Sequence, residues 1–178
     1  LAGKKRQFLR QRCAQFAREG YEFVLIAKED VPSVLPELRR ISDDWLASKD
    51  GREKGFSLGY FDEAYLARSR IAVVRHEGHV LAFANLWESE TRNELSLDLM
   101  RYHSDAKSGA MEFLFAQMML WGKEQGYQWF NLGMAPLSGL ADRRLAPRWH
   151  RFGSALYRLG NDWYSFKGLR FYKDKFDP

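Results

Sequence analysis

The chain has 178 residues, of which 46% are hydrophobic and 15% aromatic, and this composition predicts a globular domain rather than a disordered chain. The formal net charge of +5 favours an anionic partner, such as RNA or an acidic lipid surface. Cys13 is the single cysteine, which excludes an internal disulfide and a cysteine metal cage, and no apolar run approaches the roughly 20 residues of a membrane-spanning helix.

The first third of the chain predicts helices around one short strand. Helical spacing, capping residues and turn signals predict, in order, a helix over Lys5–Arg18, a strand over Phe23–Ala27, a helix capped by Asp30, a charged loop over Lys49–Gly59 and a brief helix from Asp62 to about Ala67.

A region with strand signals follows. Strands are predicted over Ile71–Arg75, Val80–Trp87 and Glu94–Met100. The dipeptide Glu77-Gly78 between the first two strands is a hairpin signal. In the third strand, alternation predicts that Leu95, Leu97 and Leu99 point to one face of the sheet and Asp98 to the other.

The last third returns to alternating helices and strands. We predict a buried helix over Gly109–Gln125, a strand over Trp129–Leu132, a helix over Arg148–Leu159 and a mixed tail over Tyr164–Phe176. The whole order predicts an α/β fold with a mixed, mostly antiparallel sheet flanked by helices. This is the layout of a GNAT-like acyltransferase fold, predicted here as a single domain over residues 1–178.

One run, Phe130–Gly139, joins an apolar strand to a loop that contains glycine, proline and serine. Such a loop lets the backbone approach a ligand closely at the carboxyl end of a strand. We therefore expect this segment to line a cleft.

The turn before the buried helix, Ala106–Ala110, bears on cofactor use. Coenzyme A would require a glycine-rich turn there for its pyrophosphate, and this turn has one glycine. The sequence therefore disfavours coenzyme A, although Lys107 with Ser108 and Gly109 could hold another phosphate. The alternative is that Ser108 merely caps the helix.

The four histidines show no metal-ligand spacing.

Two charged residues are candidates for chemistry. Asp98 ends an apolar strand, where it could bind an ammonium group or act as a base, or merely pair with Arg101. Lys173 lies among alternating aromatic and basic residues, where it could stabilise an oxyanion or belong to a solvated end.

Two basic clusters could bind the phosphates of an anionic partner, or else they are solvated helix faces. They are Lys4, Lys5, Arg6, Arg10, Arg12 and Arg18, then Arg143, Arg144, Arg148 and Arg151.

Several motifs together resemble one family, the C-terminal catalytic domains of phosphatidylglycerol lysyl/alanyltransferases, also called multiple peptide resistance factors. The matching segments are Asp43–Leu46, Glu53–Gly59, Asp98–Arg101, Gly109–Phe115, Phe130–Gly139, Tyr164–Arg170 and Lys173–Phe176. They follow one another along nearly the whole chain, and they are specific as a set.

The resemblance implies transfer of an aminoacyl group from aminoacyl-tRNA to a glycerol hydroxyl of phosphatidylglycerol. The product lowers the negative charge of the membrane surface and gives resistance to cationic antimicrobial peptides. The resemblance also implies the second half of a tandem GNAT catalytic domain, after a first half and a membrane domain, at the cytoplasmic face of the bacterial inner membrane. The chain has no initiator methionine, and we expect it to be a fragment of a larger protein. Aminoacyl-tRNA is the co-substrate, with no coenzyme A, other cofactor or metal expected.

We hypothesise roles for particular residues in such a transfer. Asp98 would bind the α-ammonium of the aminoacyl group or help deprotonate the lipid hydroxyl, Arg101 would take a phosphate, and Lys173 would polarise the ester carbonyl. The aminoacyl pocket would be lined by Ser57, Asn131, Gly133, Met134, Ser138, Tyr164 and Arg170. Phosphates of tRNA or lipid would be bound by Lys107, Arg143, Arg144 and Arg148.

Three other functions stay open at this point. A related transferase would pass the aminoacyl group to a peptidoglycan precursor or a protein. A non-catalytic module would bind tRNA or lipid through its basic clusters. A coenzyme A-dependent acetyltransferase is the third. The sequence leaves open whether lysine, alanine or arginine is transferred.

Overall fold

A computed structural model describes residues 3–4, 6–49, 59–132 and 174–176. The chain divides into two units, Leu1–Asn131 and Leu132–Pro178, and the elements below belong to the first. They are α1 (Gln7–Arg18), β1 (Glu22–Ile26), a 3-10 turn (Lys28–Asp30), α2 (Val31–Ser48), α3 (Glu63–Leu66), β2 (Arg70–His76), β3 (His79–Glu88), β4 (Glu94–Tyr102), α4 (Ala110–Glu124) and β5 (Trp129–Asn131). The predicted helix over Arg148–Leu159 and most of the predicted tail lie outside the described residues.

The strands form one sheet in the order β1-β2-β3-β4-β5. The first three pairings are antiparallel, and β5 lies parallel to β4. A parallel pair requires a crossover connection, and α4 supplies it. The predicted mixed, mostly antiparallel sheet of GNAT type is therefore confirmed.

Local turn chemistry explains two of the correctly predicted boundaries. Glu77 and Gly78 both have positive φ, at 51° and 81°, which is the conformation of a two-residue hairpin turn between β2 and β3. Asp62 precedes α3, and its Oδ1 accepts a hydrogen bond from the Tyr65 backbone N–H at 2.7 Å. Both elements therefore begin or end where the sequence predicts.

Two predicted helix caps are absent. Asp30 precedes α2 but makes no side-chain cap; instead the Ser33 hydroxyl donates to the Asp30 carbonyl at 2.7 Å. At α4 the N-cap residue is Gly109, with φ 97° and no side-chain cap, so the predicted cap by Ser108 is wrong. There the backbone closes the turn itself, because Ala110 N–H donates to the Lys107 carbonyl at 3.0 Å.

Helices cover the sheet on both faces. On one face, α2 and α3 pack in a buried apolar cluster made of Ile26, Val31, Leu35, Leu38, Ile41, Leu66, Ile71, Val73, Val80, Phe83 and Leu99. On the other face, α1 packs on α4, where the rings of Phe16 and Phe113 stack with centroids 5.1 Å apart. The predicted burial of α4 is confirmed, since Phe113, Leu114 and Phe115 are all within 2% of complete burial.

A β-bulge in β4 overturns the predicted alternation of its leucines. The register passes from Ala84 opposite Met100 to Leu86 opposite Leu97, so β4 has one residue more than β3 in that interval. Leu95 packs against Gly122 of α4, whereas Leu99 belongs to the cluster under α2. The extra residue switches the face, and the predicted common face of Leu95, Leu97 and Leu99 is wrong.

Candidate functional site

The bulge brings Asp98 and Arg101 against the same residue, Gly59. Regular alternation would place residues three apart on opposite faces of a strand. Instead, Gly59 N–H donates to Asp98 Oδ2 at 3.0 Å, and Arg101 Nη2 donates to the Gly59 carbonyl at 3.2 Å. A carboxylate and a guanidinium are thus fixed side by side on the α2 face of the sheet.

Tyr65 on α3 is the centre of the polar network around Asp98. Its hydroxyl donates to Asp98 Oδ2 at 2.8 Å. The same oxygen accepts hydrogen bonds from Asn85 Nδ2 at 3.1 Å and from Trp87 Nε1 at 2.7 Å. Burial, and then the hydrogen bond to Asp98, raise the pKa of Tyr65 to about 12. Tyr65 is therefore a protonated donor at neutral pH and is unsuited to act as a base.

Asn85 connects this network to the bulge. It is fully buried within the apolar strand β3, and its Oδ1 accepts the Leu99 backbone N–H at 2.7 Å. This side-chain bond satisfies a backbone donor at the point where the regular ladder is interrupted. Asn85 therefore supports both the strand geometry at Asp98 and the hydroxyl that binds it.

Arg101 is held in place by an aromatic ring and by the backbone. It is 9% exposed, and its Cζ lies 4.1 Å from the ring centroid of Trp45 on α2. Its Nη1 donates to the Met100 carbonyl at 3.0 Å. Stacking on an indole ring fixes the plane of a guanidinium, which suits planar recognition of a phosphate or carboxylate.

The two carboxylate oxygens of Asp98 differ in their hydrogen bonding. Oδ2 accepts both of the hydrogen bonds that described residues donate to this carboxylate, from Gly59 and Tyr65. Oδ1 accepts none from the residues that the structure describes. A carboxylate with one oxygen anchored and the other available presents a fixed negative charge to an ammonium group.

The structure places Asn131 on the same face of the sheet as this network. In the register of β4 and β5, Asn131 lies opposite Ser96, two residues from Asp98. Its neighbour Phe130 points the other way, to Phe115 of α4. The Asn131 amide donates to Glu94 Oε1 at 2.8 Å. The predicted lining residue is therefore beside the candidate site.

Lys107 lies elsewhere. It precedes α4, and its ammonium forms an ion pair with the Glu19 carboxylate after α1. The hydrogen bond from Lys107 is the main cause that lowers the pKa of Glu19. The structure does not bring Lys107 to Asp98, since α1 and α4 cover the opposite face of the sheet. Its contact with phosphate stays a prediction.

The other predicted site residues lie outside the described part of the chain. They are Ser57, Gly133, Met134, Ser138, Arg143, Arg144, Arg148, Tyr164, Arg170 and Lys173. Their proposed roles stay predictions, as does the expected cleft along most of Phe130–Gly139.

Sequence reasoning missed several members of the network, namely Trp45, Tyr65, Asn85 and Trp87. Asn85 had a visible signal, because it is the one polar residue in the run Val80–Trp87. An amide amid an apolar strand needs a buried partner. Tyr65 had no such signal, since its role depends on how α3 packs against β3 and β4.

Two further searches cover the described residues only. Among them, no three or more His, Cys, Asp and Glu side chains are grouped so that they could hold a metal ion. No helix in these ranges has the length and apolar character needed to cross a bilayer.

Comparison with known families gives a match along the whole chain. The model of the family described as "Phosphatidylglycerol lysyltransferase, C-terminal" matches residues 1–178. Similar proteins include a phosphatidylglycerol lysyltransferase of Bacillus subtilis strain 168, which is 43% identical over 179 residues. Another from Staphylococcus aureus strain N315 is 35% identical over 178 residues. The matches cover 100% and 99% of this chain and 21% of each relative, so the chain spans about a fifth of their length.

Solved structures agree with this match. A C-terminal domain described as that of a lysylphosphatidylglycerol synthetase from Agrobacterium fabrum superposes with a TM-score of 0.82 at 43% identity. It is matched over 100% of this chain and 53% of that chain. The L-PGS of Bacillus licheniformis gives a TM-score of 0.75 at 43% identity, over 99% of this chain and 52% of that one. The chain spans about half of each solved structure.

Proposed function

The chain belongs to the family of phosphatidylglycerol lysyltransferase C-terminal domains, and on that premise we propose that Asp98 and its neighbours hold the aminoacyl group during its transfer from aminoacyl-tRNA to phosphatidylglycerol. The relatives' names supply the lysyl group and the lipid acceptor. The aminoacyl-tRNA donor is our proposal, because an amino acid must be activated before an alcohol can take it up, and an ester to tRNA is such an activated form.

The doubly anchored carboxylate of Asp98 is the observation that carries this proposal. An aminoacyl ester has a free α-ammonium next to its reacting carbonyl. An ion pair from this ammonium to Asp98 would fix the position of the carbonyl carbon. Positioning supplies much of the rate in a transfer between two esters, because it makes the encounter of the attacking hydroxyl and the carbonyl carbon effectively intramolecular.

In the proposed reaction, one ester bond forms as another breaks. The lipid glycerol oxygen forms a bond to the aminoacyl carbonyl carbon, and the bond from that carbon to the tRNA ribose oxygen breaks. The proton of the glycerol hydroxyl ends on the ribose hydroxyl. No oxidant, metal or acyl carrier enters this balance, which fits our expectation that the enzyme uses no coenzyme A and no other cofactor.

Arg101 and Lys173 would act on the other charges of the reaction. Arg101 presents a fixed guanidinium three residues from Asp98, and we propose that it binds a phosphate of tRNA or lipid. Lys173 would stabilise the oxyanion that forms on the carbonyl oxygen. The chain spans about a fifth of its relatives, so a first GNAT-like half, a membrane region and the location at the cytoplasmic face belong to the same proposal.

Replacement of Asp98 tests the assignment. In the full-length protein, we expect Asp98→Asn to lower transfer of labelled lysine from lysyl-tRNA into phosphatidylglycerol vesicles by about 100-fold, since a charge-assisted bond to the substrate is lost. Asp105→Asn is the matched control, because the Asp105 side chain is 88% exposed. Full activity of Asp98→Asn would contradict the proposal. Retained tRNA or vesicle binding, with label passing to a peptide or to no acceptor, would favour the alternative functions.

A further inference from the structure

Two neighbouring residues of α2 contact β4 and the chain that follows it. Trp45 lies against Arg101, whose Cζ is 4.1 Å from the centroid of the indole ring. Asp44, the preceding residue, accepts hydrogen bonds from Ser104, just after β4. Both residues belong to Asp43–Leu46, which is one of the segments that resemble the family. Because the two contacts are adjacent on α2, the position of one residue constrains the other.

The contact between Asp44 and Ser104 uses both carboxylate oxygens. Ser104 N–H donates to Asp44 Oδ2 at 2.6 Å, and the Ser104 hydroxyl donates to Oδ1 at 3.1 Å. The hydrogen bond from Ser104 N–H is the main cause that lowers the pKa of Asp44, so this carboxylate is ionised at neutral pH. His103 N–H in turn donates to the Leu81 carbonyl of β3 at 2.8 Å. Asp44 is therefore bonded to a part of the chain that the sheet itself holds in place.

The core fixes the middle of α2 rather than its carboxyl end. The residues of α2 in the buried apolar cluster are Val31, Leu35, Leu38 and Ile41. Asp44 and Trp45 come later, close to the end of the helix at Ser48, and helix ends fray more readily than helix centres. The Asp44 side chain is 31% exposed, so its ionic contact contributes less to the free energy of unfolding than the core side chains do. Asp44 therefore bears on where the end of α2 lies more than on whether the chain folds.

The guanidinium of Arg101 is restrained in two ways. Nη1 donates to the Met100 carbonyl at 3.0 Å, and Nη2 donates to the Gly59 carbonyl at 3.2 Å. The N–H donors of a guanidinium lie in its plane, so these bonds act within that plane. Stacking on the ring of Trp45 restricts the tilt of the plane. If the ring moved away, the guanidinium would tilt about the line between the two carbonyl groups and would no longer present one fixed plane to a phosphate.

We propose that Asp44 is a positioning residue for the proposed transfer: its contact with Ser104 holds Trp45 against Arg101, and this keeps the guanidinium in the plane that receives a phosphate of the substrate. Asp44 touches no substrate in this scheme, and Trp45 transmits its effect to Arg101. The inference rests on the proposed phosphate-binding function of Arg101. It explains why a carboxylate and an indole occupy adjacent positions of α2.

A double-mutant cycle tests the route from Asp44 to Arg101. Variants of the full-length protein are compared in kcat/KM for transfer of labelled lysine from lysyl-tRNA into phosphatidylglycerol vesicles. We expect Asp44→Ala to lower kcat/KM by about tenfold, since a small displacement of a binding group has a large effect on rate. Arg101→Lys keeps the charge but has no plane to orient. In that background, Asp44→Ala should lower kcat/KM by less than about twofold further.

The separate kinetic constants give a second signature. A group that binds the substrate and the transition state equally affects KM and not kcat. We therefore expect Asp44→Ala to raise KM for the same substrate, tRNA or lipid, for which Arg101→Lys raises it, with kcat within about twofold of wild type.

Milder variants keep the test valid if Asp44→Ala folds poorly. Ser104→Ala retains the backbone N–H that binds Asp44, so it should lose less kcat/KM than Asp44→Ala. Trp45→Phe retains an aromatic face for the guanidinium, so it should lose less than Trp45→Leu. Circular dichroism of each variant shows whether its helices are intact.

Asp43→Ala is the matched control. It removes a carboxylate from the neighbouring position of the same helix, but Asp43 is exposed and has no hydrogen bond or ion pair within the described ranges. We expect it to keep the wild-type kcat/KM. The proposal would be overturned by wild-type kcat/KM in Asp44→Ala, by an equal factor of loss in the wild-type and Arg101→Lys backgrounds, or by a loss in Asp43→Ala as large as that in Asp44→Ala.

The outcome is distinguishable from failure of the proposed function. If Arg101→Lys lowers kcat/KM while Asp44→Ala does not, the phosphate-binding assignment of Arg101 stands and the positioning role of Asp44 is wrong. If Arg101→Lys keeps wild-type activity, the assignment of Arg101 itself fails, and the positioning role fails with it.

Discussion

At the scale of single residues, the account depends on an oriented carboxylate and the phenol that binds it. Tyr65 Oη makes one donated and two accepted hydrogen bonds, so each of its bonding positions has a partner. A phenol held in this way orients the Asp98 carboxylate and does not transfer a proton. The residue that touches the substrate in our account is Asp98, and Tyr65 positions it.

The raised pKa of Tyr65 predicts a late titration. We expect the ultraviolet signal of tyrosinate to include a phenol that ionises at about pH 12, and this transition should be missing in Tyr65→Phe. A titration of Tyr65 near 10, the ordinary value for tyrosine, would contradict the network.

The same shift has a consequence for stability. The pKa of Tyr65 is higher in the folded than in the unfolded state, so its contribution is complete below about pH 10 and is lost as the pH rises towards about 12. The free energy of unfolding should therefore fall less steeply over this range in Tyr65→Phe than in the wild type. The free energy of unfolding should still fall somewhat with pH in both proteins, because burial and Glu88 also raise the pKa of Tyr127.

Sequence reasoning singled out the charged members of the network around Asp98 but not Tyr65 and Trp87. Asp98 and Arg101 stood out because charged side chains at the end of an apolar strand must be paired or solvated. Tyr65 and Trp87 did not, because a half-buried aromatic residue is ordinary in any α/β domain. Their function depends on hydroxyl and indole directions, which arise only when α3 packs on the sheet.

At the scale of elements, the bulge in β4 makes the site possible. It places Asp98 and Arg101 on one face and leaves Gly59 between them. Gly59 has φ +83°, a conformation that favours glycine. The backbone of Gly59 can therefore come close to Asp98 while Oδ1 stays open.

Gly59→Ala tests this arrangement. An added Cβ would lie 3.6 Å from Asp98 Oδ1 and would cover it, and the left-handed backbone would cost about 1 to 2 kcal/mol. Gly126→Ala is the matched control, because its φ is +87° with nothing within 4 Å of the added atom. We expect similar losses in the free energy of unfolding, measured by denaturant titration, and a loss of transfer only in Gly59→Ala. Equal transfer rates in the two variants would contradict the role of Gly59.

The turn before α4 gives a second prediction at this scale. Gly109 has φ +97°, and a Cβ added there would lie 2.5 to 2.8 Å from the Nε, Cδ and Cζ atoms of Arg12. The Arg12 side chain thus covers the turn that would have to approach a pyrophosphate. We predict no saturable heat on titration with acetyl-coenzyme A. A measurable dissociation constant in that titration would revive the acetyltransferase alternative.

Elements were predicted well where their signals are local. The β2–β3 hairpin and the start of α3 each depend on a few adjacent residues, and both were confirmed. The bulge was missed because it depends on the register between β3 and β4 and on Asn85, fourteen residues before Leu99. Periodicity within one strand contains no information on such a pairing.

At the scale of the whole molecule, the proposed function rests on the family match and on the geometry of the site together. The match over residues 1–178 identifies the family without reference to any one side chain. Asp98 presents an anchored carboxylate on the α2 face of the sheet, although the chain as a whole has a net charge of +5. A basic molecule with a local, anchored carboxylate suits a donor whose tRNA is anionic and whose aminoacyl end is cationic.

One measurement tests the central claim most directly. Labelled lysine on lysyl-tRNA, and labelled alanine on alanyl-tRNA, are supplied separately to the full-length protein with phosphatidylglycerol vesicles, and the lipid is counted. The account predicts label in lipid from lysyl-tRNA in the wild type, little from alanyl-tRNA, and almost none from either in Asp98→Asn. Equal labelling by wild type and Asp98→Asn, or no labelled lipid from lysyl-tRNA at all, would contradict it.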